Sequence, residues 1–490
     1  MRVVILGRDT ALWLAAGVLA RALGPSGVTV EAVELPGTLT PADLHVALPP
    51  LEALHNQLRI DEAGLLRATG GAFSLGQNFA EPAGAVPAFL HAYGSTGAAI
   101  DGHDFFAYWL KARRFGLAVG LEDFSLTAAA ARQGRMMIPD DDTEVYGRCD
   151  YGYHLPALAY AAVLKGVALR HLAGAHQASA AQAELDSESG AIRALLLDGD
   201  RRVEGDLFVD ATGADAALIC TALTVASESW HGYFPVDATI AASGPRLASI
   251  PVYAEVRASA TGSTALHPTV ARSYLQHSYS RSLTSDDQAY AEAGAVAGIA
   301  LDDGIVRTIH PRRRANAWER NCIAIGEAAC VFDSVHGVGL HAIQLGLVNL
   351  LAHFPASAEY AAQRAEYNRL TRSAFERVRD FQSAHYACAR YRGRFWERAK
   401  EAALSPELAH RIALFEVRGE IAPMEDESFA PDSWRMLFTG HGLEPASWLP
   451  AIDRTSPDAM KGQFRRMLGF VREQVLRRPS HDDYLASIGG

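Results

Sequence analysis

The first 34 residues constrain the fold more than any other stretch. Arg2 to Leu6 reads RVVIL, a short β-branched run that ends at Gly7 and predicts a buried strand. Thr10 to Leu23 is apolar and alanine-rich and meets Gly24-Pro25, which predicts a helix with a clean stop. Val28 to Val33 (VTVEAV) predicts a second strand, closed by Glu34. Strand, tight turn, helix and strand in that order make a βαβ unit, the opening of a dinucleotide-binding fold.

In that fold the first turn usually carries GxGxxG, because glycines let backbone N–H groups approach a pyrophosphate at a helix N-terminus. Here the turn reads Gly7-Arg8-Asp9-Thr10-Ala11-Leu12. Only the first glycine is present, and Asp9 stands where the second belongs. Two readings stay open. The Asp9 carboxylate faces the phosphates, which is unfavourable unless Arg8 compensates, or Asp9 is the N-cap of the helix. Glu34 either holds a ribose hydroxyl at the strand end or is a solvent-exposed glutamate.

Further along, residues 36–50 read as loop and 51–68 as helical, with glycine-rich, aromatic loops and strands to Gly97. Tyr153 to Lys165 predicts a helix, and Val167 to Leu172 a strand. Residues 177–209 alternate through two turns as a β-meander. The meander closes on GDLFVDATG, a hydrophobic strand ending in Asp210-x-x-Gly213. A second such strand, Asn321 to Ala329 (NCIAIGEAA), turns at Gly326 into a helix. Such glycines permit a close chain turn beside a cofactor, and together, in this order, the two strands favour an FAD-type fold. Residues 226–308 carry several strands, and the chain from residue 360 is helical.

The expected architecture is therefore α/β: an FAD-dependent monooxygenase-like fold, with a Rossmann-type βαβ module, an interleaved mixed-sheet substrate module and a helical C-terminal region. Its expected segments are 1–225 with 310–355 for the FAD-like module, 226–309 for the substrate side and 356–490 for the helical part. A formal net charge of −11 on 490 residues argues against nonspecific nucleic-acid binding. Five scattered cysteines without CxxC or zinc spacing suit buried thiols in a reducing, cytoplasmic setting, with no metal site. No uninterrupted apolar run of about 18 residues points to a membrane.

The wording of successive segments resembles the flavin-dependent tryptophan halogenases. VVILGRDTALWLAA, LRIDEAGLLRATGGAFSLGQNF, FLHAYGSTGAAIDGHDFFAYWL, GDLFVDATGADAALI, NCIAIGEAACVFDSVHGVGLHAIQLGLVNLL and FAPDSWRMLFTGHGLEPASWLP follow in family order. The resemblance implies FAD, reduced by a separate flavin reductase, acting with chloride or bromide on a small aromatic substrate or a tryptophan-containing peptide. It also admits a homodimer. Cofactor contacts would come from Gly7, Arg8, Thr10, Ala11, Glu34, Asp210, Gly213 and Gly326, with the backbone N–H groups of Val338 and Gly339 free to bind an anion.

Five features depart from the family. Besides the phosphate turn, the flavin strap aligns with Asp43-Leu44-His45-Val46-Ala47-Leu48. The family's lysine is Ser74, which has no ammonium to carry an oxidised halogen. Its glutamate is His336, either an acid/base group near neutral pH or a histidine packed under the turn. The WxWxIP signature reads Ala265-Leu266-His267-Pro268-Thr269-Val270. His336 and Ser74 are the candidate catalytic positions. These departures favour an FAD-dependent oxygenase acting on an indole-like aromatic. The alternatives are a true halogenase with substituted groups, and a non-catalytic relative, its FAD lost, that binds a ligand or partner in the old cleft.

Overall fold

A computed structural model describes residues 1–357 and 359–489, and the chain divides into two compact units. The first comprises residues 1–71, 155–231 and 309–379. Its centre is a six-stranded sheet with β1 (Arg2–Gly7) in the middle. β1 pairs in parallel with β2 (Thr29–Glu34) on one side and with Leu207–Ala211 on the other. Val3, Val4, Ile5 and Leu6 are all fully buried, as expected for the near-continuous apolar strand of a parallel sheet covered on both faces. Helix α1 (Asp9–Leu23) makes the crossover and packs against the Ala157–Ala168 helix.

Gly7 is explained by this packing. A Cβ there would lie 2.6 Å from the Ala211 Cβ, so the ends of β1 and its neighbour approach too closely for any side chain. The strands Ala181–Leu185, Ile192–Leu197 and Arg202–Glu204 form the expected antiparallel meander.

The second unit comprises residues 72–154, 232–308 and 380–490. Its seven-stranded sheet runs Ile305–Thr308, Ala238–Gly244, Ser273–Tyr279, Gly262–Pro268, Ala254–Ala258, Gly76–Ala80, Phe89–Ala92. Residues 72–154 thus group with 232–308, because Gly76–Ala80 pairs in parallel with Ala254–Ala258. The linear division, which put them with the βαβ module, follows chain order and not strand pairing. From residue 380 this unit is helical, ending in Pro457–Leu476 and His481–Ser487.

Four local expectations change. β3 (Leu44–Ala47) lies inside the stretch read as loop. Gly152–Pro156 is a strand, pairing its Gly152, Tyr153 and His154 with Ser74, Phe73 and Ala72, and the helix begins only after Pro156. That helix runs on to Ala168, so Val167 is helical and the next strand is Gly174–Gln177. Within 226–308 a helix, Asp286–Ala297, covers the sheet through Ala289, Ala293 and Ala297. Its alanines give little periodic contrast, so the sequence hides it. The segment Val335–Ala352 is apolar and long enough to pass for a membrane span, but most of it is buried inside the structure.

Candidate ligand crevice at the strand ends

Open α/β sheets bind ligands in the crevice beyond the carboxyl ends of their strands. Here two adjoining cavities lie there. One, of about 120 Å³, is lined by Asp9, Trp13, Glu34, Leu35, Gly37, Ala161, Ala162 and Lys165. The other, of about 380 Å³, shares Glu34, Leu35 and Gly37 and adds Gln177, Ser179 and Asp198.

The Asp9 side chain does not cap α1. Arg8 holds the N-cap position, and Asp9 is the first helical residue, in a left-handed conformation at φ +55°. Its Oδ2 accepts hydrogen bonds from the Thr38 N–H at 2.7 Å and the Thr38 hydroxyl at 3.1 Å. The carboxylate is therefore anchored across the turn, toward the loop after β2, and Oδ1 has no hydrogen-bond partner among the described residues. Its negative charge sits at the helix N-terminus, where the dipole favours an anion. Arg8 cannot offset a second anion, because its guanidinium is paired with Asp215 at 2.9 Å. Thr10 donates or accepts at 2.8 Å with Nε2 of the half-buried His45 on β3. Burial lowers His45 to about 4, against the opposing pull of Asp43 and Asp9. The altered turn and the altered strap thus meet through their own side chains.

Glu34 is not a free strand-end carboxylate. Lys165 donates to both its oxygens, at 2.9 and 2.7 Å, and Gln177 donates at 3.2 Å. The same ammonium lies 5.0 Å from the Trp13 ring centroid. Lys165, Thr38 and Asp215 are contributors that the sequence did not single out. Each is remote in the chain from its partner, and no spacing rule links them.

Asp210 is fully buried and turned into the fold. Its carboxylate accepts from the Thr212 N–H and hydroxyl and from the Leu218 and Ile219 N–H groups, at 2.7 to 3.1 Å. Burial pushes its pKa up, and those donors pull it down. Asp210 is thus a buried staple for the following helical turn. Asp210→Ala is expected to lower stability by about 3 kcal/mol, because three buried N–H groups and the Thr212 hydroxyl lose their acceptor. Urea unfolding measures this, and a loss below about 1 kcal/mol would contradict the staple role.

Gly213 and Gly326 are both left-handed, at φ +74° and +58°. A Cβ at Gly326 would meet the Ile343 side chain at 2.8 Å, so close helix approach is why glycine stands there. His336 is buried and left-handed at φ +68° in the turn Val335–Gly337. A bulky residue held there carries backbone strain. Asp333 supports the turn by accepting the Val335 N–H at 2.9 Å. Beyond it, Val338 supplies no side-chain cap to the Gly339–Ala352 helix, so the first N–H groups of that helix are open to an anion. Ala11 lies within α1 and adds no polar group beyond its backbone.

Ser74 belongs to the other unit. It is fully buried, and its hydroxyl donates to the Gly76 carbonyl at 3.1 Å. The serine is satisfied by backbone two residues away. The former WxWxIP region lies on Gly262–Pro268, where His267 packs edge-on to His154 at 5.0 Å.

A pyrophosphate does not fit the first turn as it stands. Asp9 already provides the anion at the helix start, and the nearest cation is committed to Asp215.

Comparison with known proteins returns one family. The family model described as tryptophan halogenase matches residues 2–457. BrvH, a flavin-dependent halogenase from Brevundimonas sp. BAL3, superposes with a TM-score of 0.93 at 31% identity, over 99% of each chain. Xcc4156, a flavin-dependent halogenase from Xanthomonas campestris, gives 0.93 at 29% identity, over 99% of this chain and 98% of its own. The tryptophan 6-halogenase ThaL of Streptomyces albogriseolus is 25% identical, over 92% of this chain and 91% of its own length.

Proposed function

Because the chain belongs to the tryptophan halogenase family, we propose that it keeps the family scaffold and uses the strand-end crevice for a phosphate-free ligand, without halogenating. The observation that carries this is the Asp9 carboxylate held on Thr38 at the start of α1. The remaining lining supports a ligand class. Asp9 Oδ1 and Asp198 offer acceptors, the hydrogen-bonded Glu34, Lys165 and Gln177 add polar surface, and Trp13 supplies an apolar wall. This suits a small molecule with hydroxyl or amine donors and repels a diphosphate. Halogenation also lacks its amine, since Ser74 offers only a hydroxyl, and that hydroxyl is bonded to backbone.

The test is a titration of the purified protein with FAD and with reduced FAD, followed by flavin fluorescence and absorbance. No saturation at tens of micromolar is the expected result. Saturable binding in that range overturns the reading.

A second reading has its own support. The left-handed Gly213 and Gly326 and the uncapped helix beside His336 leave the other end of the fold hospitable to a flavin. On that reading the protein is an FAD-dependent oxygenase for an indole-like aromatic or a tryptophan-containing peptide, supplied with reduced FAD by a separate reductase. If FAD binds, an assay with reductase, oxygen, bromide and indole separates the outcomes by product mass. Added oxygen supports the oxygenase, and added bromine a true halogenase with substituted side chains.

A further inference from the structure

The crevice at the strand ends has one charged oxygen left over. Glu34 is met at both oxygens by Lys165, and Asp198 is met by Arg201 at 3.2 Å. Asp9 has no such cation among the described residues. Its Oδ2 takes both Thr38 donors, and its Oδ1 takes none. Three anions thus stand against two cations around the crevice. The positive end of α1 offsets roughly half a unit charge, so the balance stays negative.

Gly37 keeps the spare oxygen open. A Cβ on Gly37 would lie 2.5 Å from Asp9 Oδ1. Gly37 is not among the left-handed glycines, so backbone conformation does not call for glycine there. What the missing side chain preserves is the space in front of the carboxylate. Around that space the inner cavity is apolar, walled by Trp13, Leu35, Ala161 and Ala162. The outer cavity beside it is polar, with Gln177, Ser179 and Asp198.

A single free oxygen also selects the shape of the cation. A guanidinium presents parallel N–H groups to two acceptor oxygens, and here Oδ2 is committed to Thr38. An ammonium is a compact point charge and needs only one. A metal ion is poorly served, since no group of three His, Cys, Asp or Glu gathers among the described residues.

We propose that this crevice binds a primary amine of the amino alcohol class in its ammonium form. The ammonium sits on Asp9 Oδ1, a short aliphatic stem lies along Trp13 and Leu35, and the hydroxyl end meets Ser179 and Asp198. The proposal rests on the phosphate-free reading of the crevice and adds the sign of the ligand's charge.

Isothermal titration of the full chain with 5-amino-1-pentanol tests this. Its control is 1,5-pentanediol, which exchanges only the ammonium for a hydroxyl. The amine is expected to saturate the protein and to bind at least about tenfold tighter than the diol. Asp9→Asn keeps an oxygen for Thr38 and is expected to weaken the amine at least about tenfold, with the diol unchanged. Gly37→Ala is expected to abolish amine binding without lowering the unfolding midpoint, which separates a blocked oxygen from a lost fold. An amine that binds no tighter than the diol overturns the proposal. So does amine binding indifferent to both substitutions, or no amine binding up to about 10 mM. Each of these results leaves the phosphate-free reading standing, whereas saturation by FAD strikes that reading and the proposal with it.

Discussion

Asp9→Gly is expected to strengthen FAD binding by at least about 100-fold. A carboxylate about 4 Å from a phosphate charge costs on the order of 4 kcal/mol at the effective dielectric of a protein surface, and a pyrophosphate brings more than one charge. The fold itself should tolerate the change. Asp9 sits at φ +55°, a conformation glycine adopts without strain. The Thr38 N–H and hydroxyl that now bind the carboxylate are released to face the crevice. Asp9→Asn separates charge from shape. It keeps an oxygen for Thr38 but removes the negative charge, so its affinity should fall between wild type and glycine. Isothermal titration with FAD and with ADP reads all three proteins. Equal FAD affinity for wild type and Asp9→Gly would show that the carboxylate swings away at no cost, and the phosphate-free reading would then fail.

The reasons why parts of this site were legible in the sequence are physical. The βαβ opening was readable because a buried parallel strand and an apolar, alanine-rich crossover helix have strong local patterns, and Gly7 marked the turn between them. The Gly213 and Gly326 turns were readable because left-handed positions and close helix approach select glycine. What Asp9 does was not readable. A carboxylate at a helix start satisfies a cap rule and a ligand rule equally well, and its real partner is Thr38, across a loop. The internal role of Asp210 was hidden for a related reason. An acid at the end of a buried strand reads as a ligand contact, and its four internal donors show only in the fold. Glu34 was placed correctly at the strand end, but its partner Lys165 lies 131 residues away. The assignment of residues 72–154 escaped chain-order reasoning because strand pairing, not sequence proximity, carries them into the second sheet.

The protein is expected to unfold cooperatively between about pH 6 and pH 5, well above the carboxylate range. The cause is an unusual number of histidines buried in neutral form. His55, His91, His154, His277 and His481 are each lowered to about 4 and His385 to about 3, with burial the leading cause in every case. His267 and His441 are also held well below the ordinary value. Two pairs make double protonation worse: His441 Nε2 lies 3.1 Å from His385 Nδ1, and His267 packs on His154. For such a group the unfolded chain binds the proton first. Its contribution is fully present above the unfolded value near 6.5 and is lost as pH falls toward the folded value. At pH 5 each histidine with a folded value near 4 costs about 2 kcal/mol. Six of them together approach the entire stability of a typical domain, about 5–15 kcal/mol. Near-UV circular dichroism and urea unfolding from pH 8 to pH 4 measure the effect. His91→Phe tests the cause, since His91 lies among Tyr93, Phe381 and Phe429 and a phenyl ring suits that setting. The variant should take up about one proton fewer on unfolding and hold its structure to lower pH. A stability profile flat from pH 7 to pH 5, with loss only near pH 4, would assign acid sensitivity to carboxylates and remove the histidines from the account.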